Sequence, residues 1–144
     1  MKKRIIMFLA VSFFLNLFWE VAHSVLYDWN SSPLINSVYF FVPKILSATL
    51  GDALYIFIMI LIISLFSKDF IWLDKPAKAH YLSLILLGLI FTVLIELNAK
   101  YLNLWIYLPS MPLIFGLGVS PLVQLAITST LSLFIIQLTK GERR

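Results

Sequence analysis

The sequence predicts an all-α fold: a bundle of four transmembrane helices with both ends on the cytoplasmic side of the inner (plasma) membrane. Three observations carry that reading. Of 144 residues, 61% are hydrophobic and only 12% charged, with a mean hydropathy of +0.97, whereas soluble domains carry about 25% charged residues. Four apolar stretches each approach the ~20 residues needed to cross a ~30 Å hydrocarbon core. The basic residues fall in alternate connections, as the positive-inside rule asks of an even number of spans.

The whole chain, 1–144, reads as one membrane domain. Its first span runs from about Ile5 to Tyr27. Lys2-Lys3-Arg4 ahead of it, with Ala22-His23-Ser24 near its end, also fits a secretory signal and cleavage site. However, the run Ile5–Trp19 is at the upper limit of a signal's apolar segment, and Glu20 precedes the site. Retention as the first membrane helix is the expectation. The second span starts near Lys44, just after Pro43, and ends near Phe66. The third covers about His80 to Lys100 and the fourth about Leu113 to Leu138, where Pro121 should bend the helix. Asn30-Ser31-Ser32-Pro33 reads as a turn, and Val38–Val42 is apolar enough to lie in the interface or re-enter. Lys68 to Lys78 reads as a polar loop, with His80 solvated at its boundary, and Trp105 to Pro112 as a short aromatic and proline-rich connection.

Charge placement sets the orientation. Lys2, Lys3, Arg4, Lys68, Lys75, Lys78, Lys140, Arg143 and Arg144 are nine of the eleven Lys and Arg residues, and only Lys44 and Lys100 fall on the other side. Trp29, Tyr39, Trp105 and Tyr107 then sit at the outer interface, where amphipathic rings are favoured. The net charge of +4 thus reports topology, and the expected partners are membrane lipids, with no nucleic acid. Without Cys, disulfides and thiolate metal sites are excluded. Two separated His residues make a metal centre unexpected, and no glycine-rich nucleotide loop, nucleophile elbow or zinc motif appears. No cofactor is implied.

Polarity inside the spans is the informative feature. Glu20, Asp52 and Glu96 lie in three different helices, and an ionised group at mid-membrane costs about 2.5–3.5 kcal/mol on insertion scales. Helix rise puts Glu20 about 22 Å and Glu96 about 24 Å from the cytoplasmic side, with Asp52 about 12 Å and Gln124 about 16 Å below the outer end. All four converge on the outer half of the bilayer. Asn16, Glu20, His23 and Tyr27 form one stripe; Ala48, Asp52 and Tyr55 share a face, as do Thr92 and Glu96. Gly116, Ser120, Gln124 and Thr128, each four apart, suggest a small and polar packing seam. A carboxylate beside an imidazole can hold or transfer a proton, so Glu20, His23, Glu96 and Asp52 are the candidate catalytic residues. Asn16, Tyr27, Gln124, Trp105 and Tyr107 are candidate substrate contacts. For Asn16 and Gln124 interhelical hydrogen bonding is the competing role, for Trp105 and Tyr107 interface anchoring, and for Gly51-Asp52 helix packing. Glu20, Trp29 and Pro33 recur 76 residues later as Glu96, Trp105 and Pro109, compatible with two similar helical hairpins.

Asn16-Leu17-Phe18-Trp19-Glu20, Ser24 to Tyr27, Gly51-Asp52, Glu96-x-Asn98, Trp105-x-Tyr107, Met111-Pro112 and Gly116-x-Gly118-x-Ser120-Pro121-Leu122-x-Gln124 together resemble a family of small four-helix bacterial membrane proteins without an assigned function. That resemblance adds Asn98 to the candidate contacts. Asn16-x-x-Trp19-Glu20 also resembles the acidic element of integral membrane terpene and carotenoid cyclases. This likeness implies an acid in a dry, aromatic pocket, built here from Glu20, Glu96, Trp19 and Tyr27, that protonates a long isoprenoid. Those enzymes have more spans, so four helices imply half a site unless two copies associate. The expected function is acid–base catalysis on a lipophilic substrate, against a small transporter or lipid-binding protein, or a structural subunit. Reporter fusions after Gly141 and within Lys75–Lys78 should both report cytoplasm, and one near Ser31 the outside. A tail reporting the outside would overturn the even span count.

Overall fold

The helices begin and end where the backbone can satisfy its own hydrogen bonds, which only partly coincides with where the apolar runs begin and end. The computed structural model describes residues 2–28 and 38–141. Helix α1 spans Lys2–His23 and tightens into a 3-10 turn, Ser24–Leu26. Helix α2 spans Val38–Ser67, starting six residues before the expected Lys44. Val38–Val42 is therefore the start of this helix rather than a separate segment. Helical continuation pairs backbone groups that an apolar environment would leave unpaired, at the cost of the one bond Pro43 cannot donate. Helix α3 spans Lys78–Leu102. His80 is not simply solvated at its start, because its Nδ1 accepts the Ala77 N–H at 2.9 Å. The helix stops at Asn103, whose left-handed φ of 52° is a common helix terminator.

The fourth apolar run divides. Leu113–Ile114 (β1) and Leu117–Gly118 (β2) pair antiparallel, joined through Phe115 and Gly116 at φ 51° and 76°. Two consecutive left-handed residues make the tight turn that suits a two-residue hairpin. Helix α4 follows over Val119–Gly141. Pro121 lies in its first turn, where backbone N–H groups have no intrahelical acceptor, so it removes no bond and gives no reason for the expected bend. Gly116 leaves the predicted seam for the same reason: it belongs to the hairpin, and the seam continues instead from Gln124 through Thr128 to Ser132, all buried.

Each of the four helices is long and apolar enough to cross a membrane. Large apolar side chains, such as Phe14, Phe18 and Phe66, cover the outside. Helix α1 packs on α2 and α4, and α3 packs most extensively on α4. Helices α2 and α3 are the least closely packed neighbours. The α3–α4 contact is tight because Gly88 has no side chain: a Cβ there would lie 2.5 Å from the Ala126 nitrogen and 2.6 Å from its Cα.

The end of the bundle that carries Lys2 to Arg4 and Lys68 to Lys78, the basic end, is filled. Phe8, Ile56, Met59, Leu84, Leu133 and Ile136 pack there with Trp72 and Leu73. The expected polar loop thus carries a plug, since Trp72 and Leu73 fold back into the core while Phe70 and Ile71 stay exposed. Trp72 Nε1 donates to Ser64 Oγ at 3.0 Å, and the His80 ring lies 4.9 Å from the indole. Gln137 Nε2 donates to the Leu73 carbonyl at 2.8 Å. Arg4 donates to the Ile136 carbonyl at 2.7 Å and pairs with Asp74 at 3.4 Å. Gly88→Ala should lower stability in detergent by about 1–3 kcal/mol through overpacking. Gly51→Ala should leave it unchanged or raise it by up to ~1 kcal/mol, because helical Gly costs about that much. Thermal unfolding of the two variants side by side checks the contrast.

Candidate functional site

At the opposite end the bundle opens into a cavity of about 210 Å³, lined among others by Glu20, Asp52, Tyr55, Glu96, Trp105 and Gln124. Gln124 of α4 organises one wall. Its amide nitrogen donates to Glu20 Oε1 of α1 at 2.8 Å and to Asp52 Oδ2 of α2 at 2.7 Å, with Asn16 Oδ1 at 3.3 Å. Two N–H bonds are all an amide can give, so the short pair goes to the two carboxyl groups and Asn16 is served mainly from elsewhere. Thr128 Oγ1 approaches Asn16 Oδ1 at 3.1 Å, and the Asn16 amide donates to the Ser12 carbonyl at 2.8 Å. One step further, Ser12 Oγ donates to Ser132 Oγ at 2.9 Å. A polar ladder therefore descends between α1 and α4 from the cavity into the bundle.

Gln124 thereby holds the Glu20 and Asp52 carboxyl groups side by side at the cavity wall. His23 lies beside them, its Nε2 3.8 Å from Glu20 Oε2.

Glu96 of α3 occupies the other side, across the bundle from α1. Its Oε2 accepts a hydrogen bond from the Tyr107 hydroxyl, which in turn accepts one from Trp105 Nε1 at 3.0 Å. Gly118 makes room for this: a Cβ there would lie 3.0 Å from the Tyr107 hydroxyl. The two connections at this end are stitched together by the Asp28 N–H to the Ile106 carbonyl at 2.8 Å and the Leu108 N–H to the Leu26 carbonyl at 2.9 Å. That pairing sets Tyr27 against Tyr107, with ring centres 5.2 Å apart, and against Trp105 at 6.1 Å. Burial pushes both tyrosine hydroxyls well above their ordinary range, Tyr27 the more of the two, and the bond to Glu96 is a second cause for Tyr107. Both stay protonated donors. Glu96 Oε1 and His23 Nδ1 are buried and have no hydrogen-bond partner among the described residues.

No family model, curated protein or solved structure matches this chain.

The candidates taken from the sequence sort clearly. Glu20, Asp52, Glu96, Gln124, Tyr27 and Trp105 line the cavity, and Asn16, His23 and Tyr107 bond or pack directly against those residues. Trp105 and Tyr107 thus belong to the site, whatever they also contribute at an interface. The carboxyl groups meet within a single chain, so the site needs no second copy to bring them together. Trp19 stands one step back, its ring 6.4 Å from His23 and outside the cavity wall. Asn98 is exposed on α3 and does not join the cavity. Trp29, the turn at Asn30 to Pro33 and the Tyr39 side chain lie outside the described residues.

Lys44, Thr92 and the Ser12–Ser132 rung were missed as site elements. Extending the stripe of Asn16 and Glu20 back four residues to Ser12, and that of Gln124 and Thr128 forward to Ser132, would have found the ladder. Gln124→Leu should cost about 1–3 kcal/mol, because it strands buried acceptors on two other helices. Thermal stability of the purified variant in detergent is the measurement, and a wild-type value would mean that the amide does not hold the wall together.

Proposed function

We propose that the chain is an inner-membrane enzyme, with both termini cytoplasmic, that performs acid–base chemistry on a lipophilic, isoprenoid-like small molecule in the outer half of the bilayer. The observation that carries this reading is the Glu20–Asp52 carboxyl pair, tethered by Gln124 and facing the same cavity as Glu96. Purely structural carboxyl groups would be expected to satisfy one another. Here Glu20 and Asp52 share one amide, while Glu96, across the cavity, has an Oε1 without a partner among the described residues.

The chemistry follows from that separation. Glu20, supported by Asp52, delivers its proton to an oxygen or an alkene carbon of the substrate. The resulting cation rearranges against the aromatic wall of Tyr27 and Trp105, whose ring faces favour positive charge. Glu96, held by Tyr107, removes a proton from the product-forming carbon. One proton enters and one leaves, so an isomerisation or cyclisation balances without a co-reactant. His23, 3.8 Å from Glu20, is placed to return the proton to the acid. The filled basic end supports catalysis over transport, because passage would require Trp72 and Leu73 to leave the core.

Glu20→Gln and Glu96→Gln should each fold almost normally, since an amide keeps the shape and can still bond. Each should lower activity by ~10²–10⁴, the usual contribution of positioned acid–base groups. Glu20→Leu should in addition weaken assembly by about 1–2 kcal/mol through a lost interhelical hydrogen bond. Lipid mass spectrometry of cells with and without each variant, with extracted protein measured in parallel, reads both effects. Full activity in a well-folded double Gln variant would end this proposal.

A further inference from the structure

The cavity is small for the class of substrate just proposed. At about 210 Å³ it falls below the ~300–1,000 Å³ of most small-molecule sites, so it suits a head group better than a whole long-chain molecule. A long isoprenoid needs somewhere else to put its tail. The packing supplies a place, because α2 and α3 are the loosest neighbours in the bundle while contributing facing walls of the cavity. Ala48, Gly51, Asp52 and Tyr55 line it from α2, and Thr92, Ile95 and Glu96 from α3. No described atom lies within 4 Å of a Cβ built on Gly51. Below it, Tyr55 and Phe91 meet with ring centres 5.5 Å apart, closing the floor between the two helices.

We infer that the cavity is reached sideways from the bilayer, through a portal between α2 and α3 at Gly51, and that its ligand is a single-chain lipid with an uncharged oxygen head. This inference rests on the proposed lipophilic substrate and narrows it. The head enters toward Glu96, whose unpartnered, buried Oε1 accepts a hydrogen bond from a ligand hydroxyl. The tail stays in the portal among lipid chains. A phosphate head is disfavoured, because the lining offers it a single cation, Lys44, beside the acidic side chains Glu20, Asp28, Asp52 and Glu96, and a buried charge needs pairing.

The absence of Cys makes the test direct. Gly51→Cys is labelled with a small bimane fluorophore in the full-length protein, reconstituted in phosphatidylcholine vesicles. Leu54→Cys, exposed on the outer face of α2, and Ser110→Cys, exposed in the outer connection, serve as lipid and water references. Quenching at position 51 by nitroxide-bearing acyl chains should match that at position 54 and exceed quenching by iodide several-fold. Iodide as the stronger quencher, or quenching by neither, overturns the portal. An isoprenoid alcohol should slow maleimide labelling of Gly51→Cys several-fold, and its phosphate ester should not. Equal protection by the ester, or protection by neither, overturns the head-group assignment. Neither readout uses turnover, so a fully active Glu20→Gln, Glu96→Gln double variant would remove the acid–base reading while leaving the portal to stand or fall on quenching.

Discussion

Three carboxylic acids on three helices of one apolar bundle constrain everything else in it. Each needs hydrogen-bond partners, because burial strips away the water that would otherwise solvate it. Gln124 meets most of that demand. Its amide reaches carboxyl groups on α1 and α2 from α4, so one side chain ties three helices at the level where the cavity begins. Asn16 and Thr128 buttress it from below, and the ladder ends in the Ser12–Ser132 rung. An amide in place of the Glu20 carboxyl keeps the shape of this scaffold, whereas removing the Gln124 amide strands several groups together. The side chain on which the proposed chemistry rests is therefore distinct from the framework that holds it.

How much of this was legible depended on periodicity. Four spans followed from composition and run length, and the convergence of Glu20, Asp52, Glu96 and Gln124 followed from counting residues along helices of known rise. Identity of partners did not follow. Three acceptors compete for Gln124, and only helix rotation, which the sequence does not encode locally, decides that Asp52 and Glu20 win the short bonds. Boundaries failed for a different reason. Val38–Val42 and Leu113–Gly118 are both apolar, yet one extends a helix and the other makes a hairpin. The difference lies in Phe115-Gly116 adopting left-handed backbone, a local preference hidden inside an otherwise apolar run. Trp72 and Leu73 were misread because their neighbours Lys68, Asp69, Asp74 and Lys75 are charged, although period and position cannot tell a solvated turn from one that folds back. Asn98 entered by resemblance alone, with no stripe to place it, and it faces outward.

The two ends of the molecule divide the work. At the basic end, large side chains interlock and the loop between α2 and α3 is pinned by Ser64, Gln137 and Arg4. That end combines apolar cohesion with a few hydrogen bonds that fix the loop. At the cavity end, space is left open and polar groups replace apolar contacts. Stability stored at one end allows buried atoms such as Glu96 Oε1 to remain unsatisfied at the other, a local cost of the kind expected where a ligand completes the hydrogen bonding.

The position of the open space has its own cause. Gly88 lets α3 approach the α4 backbone, and Thr92 Oγ1 reinforces the contact by donating to the Leu122 carbonyl at 2.6 Å. Glu96, one turn on, is then carried along the same face. A helix drawn that close to one neighbour is held away from the other, and α2, itself fixed to α1 and α4 through Asp52 and Gln124, cannot follow it. The gap between α2 and α3 is thus the geometric complement of the tight α3–α4 seam, and Gly51 leaves it unfilled. Small residues serve opposite ends here: one removes a side chain so that two backbones can touch, and the other so that two helices stay apart with room between them.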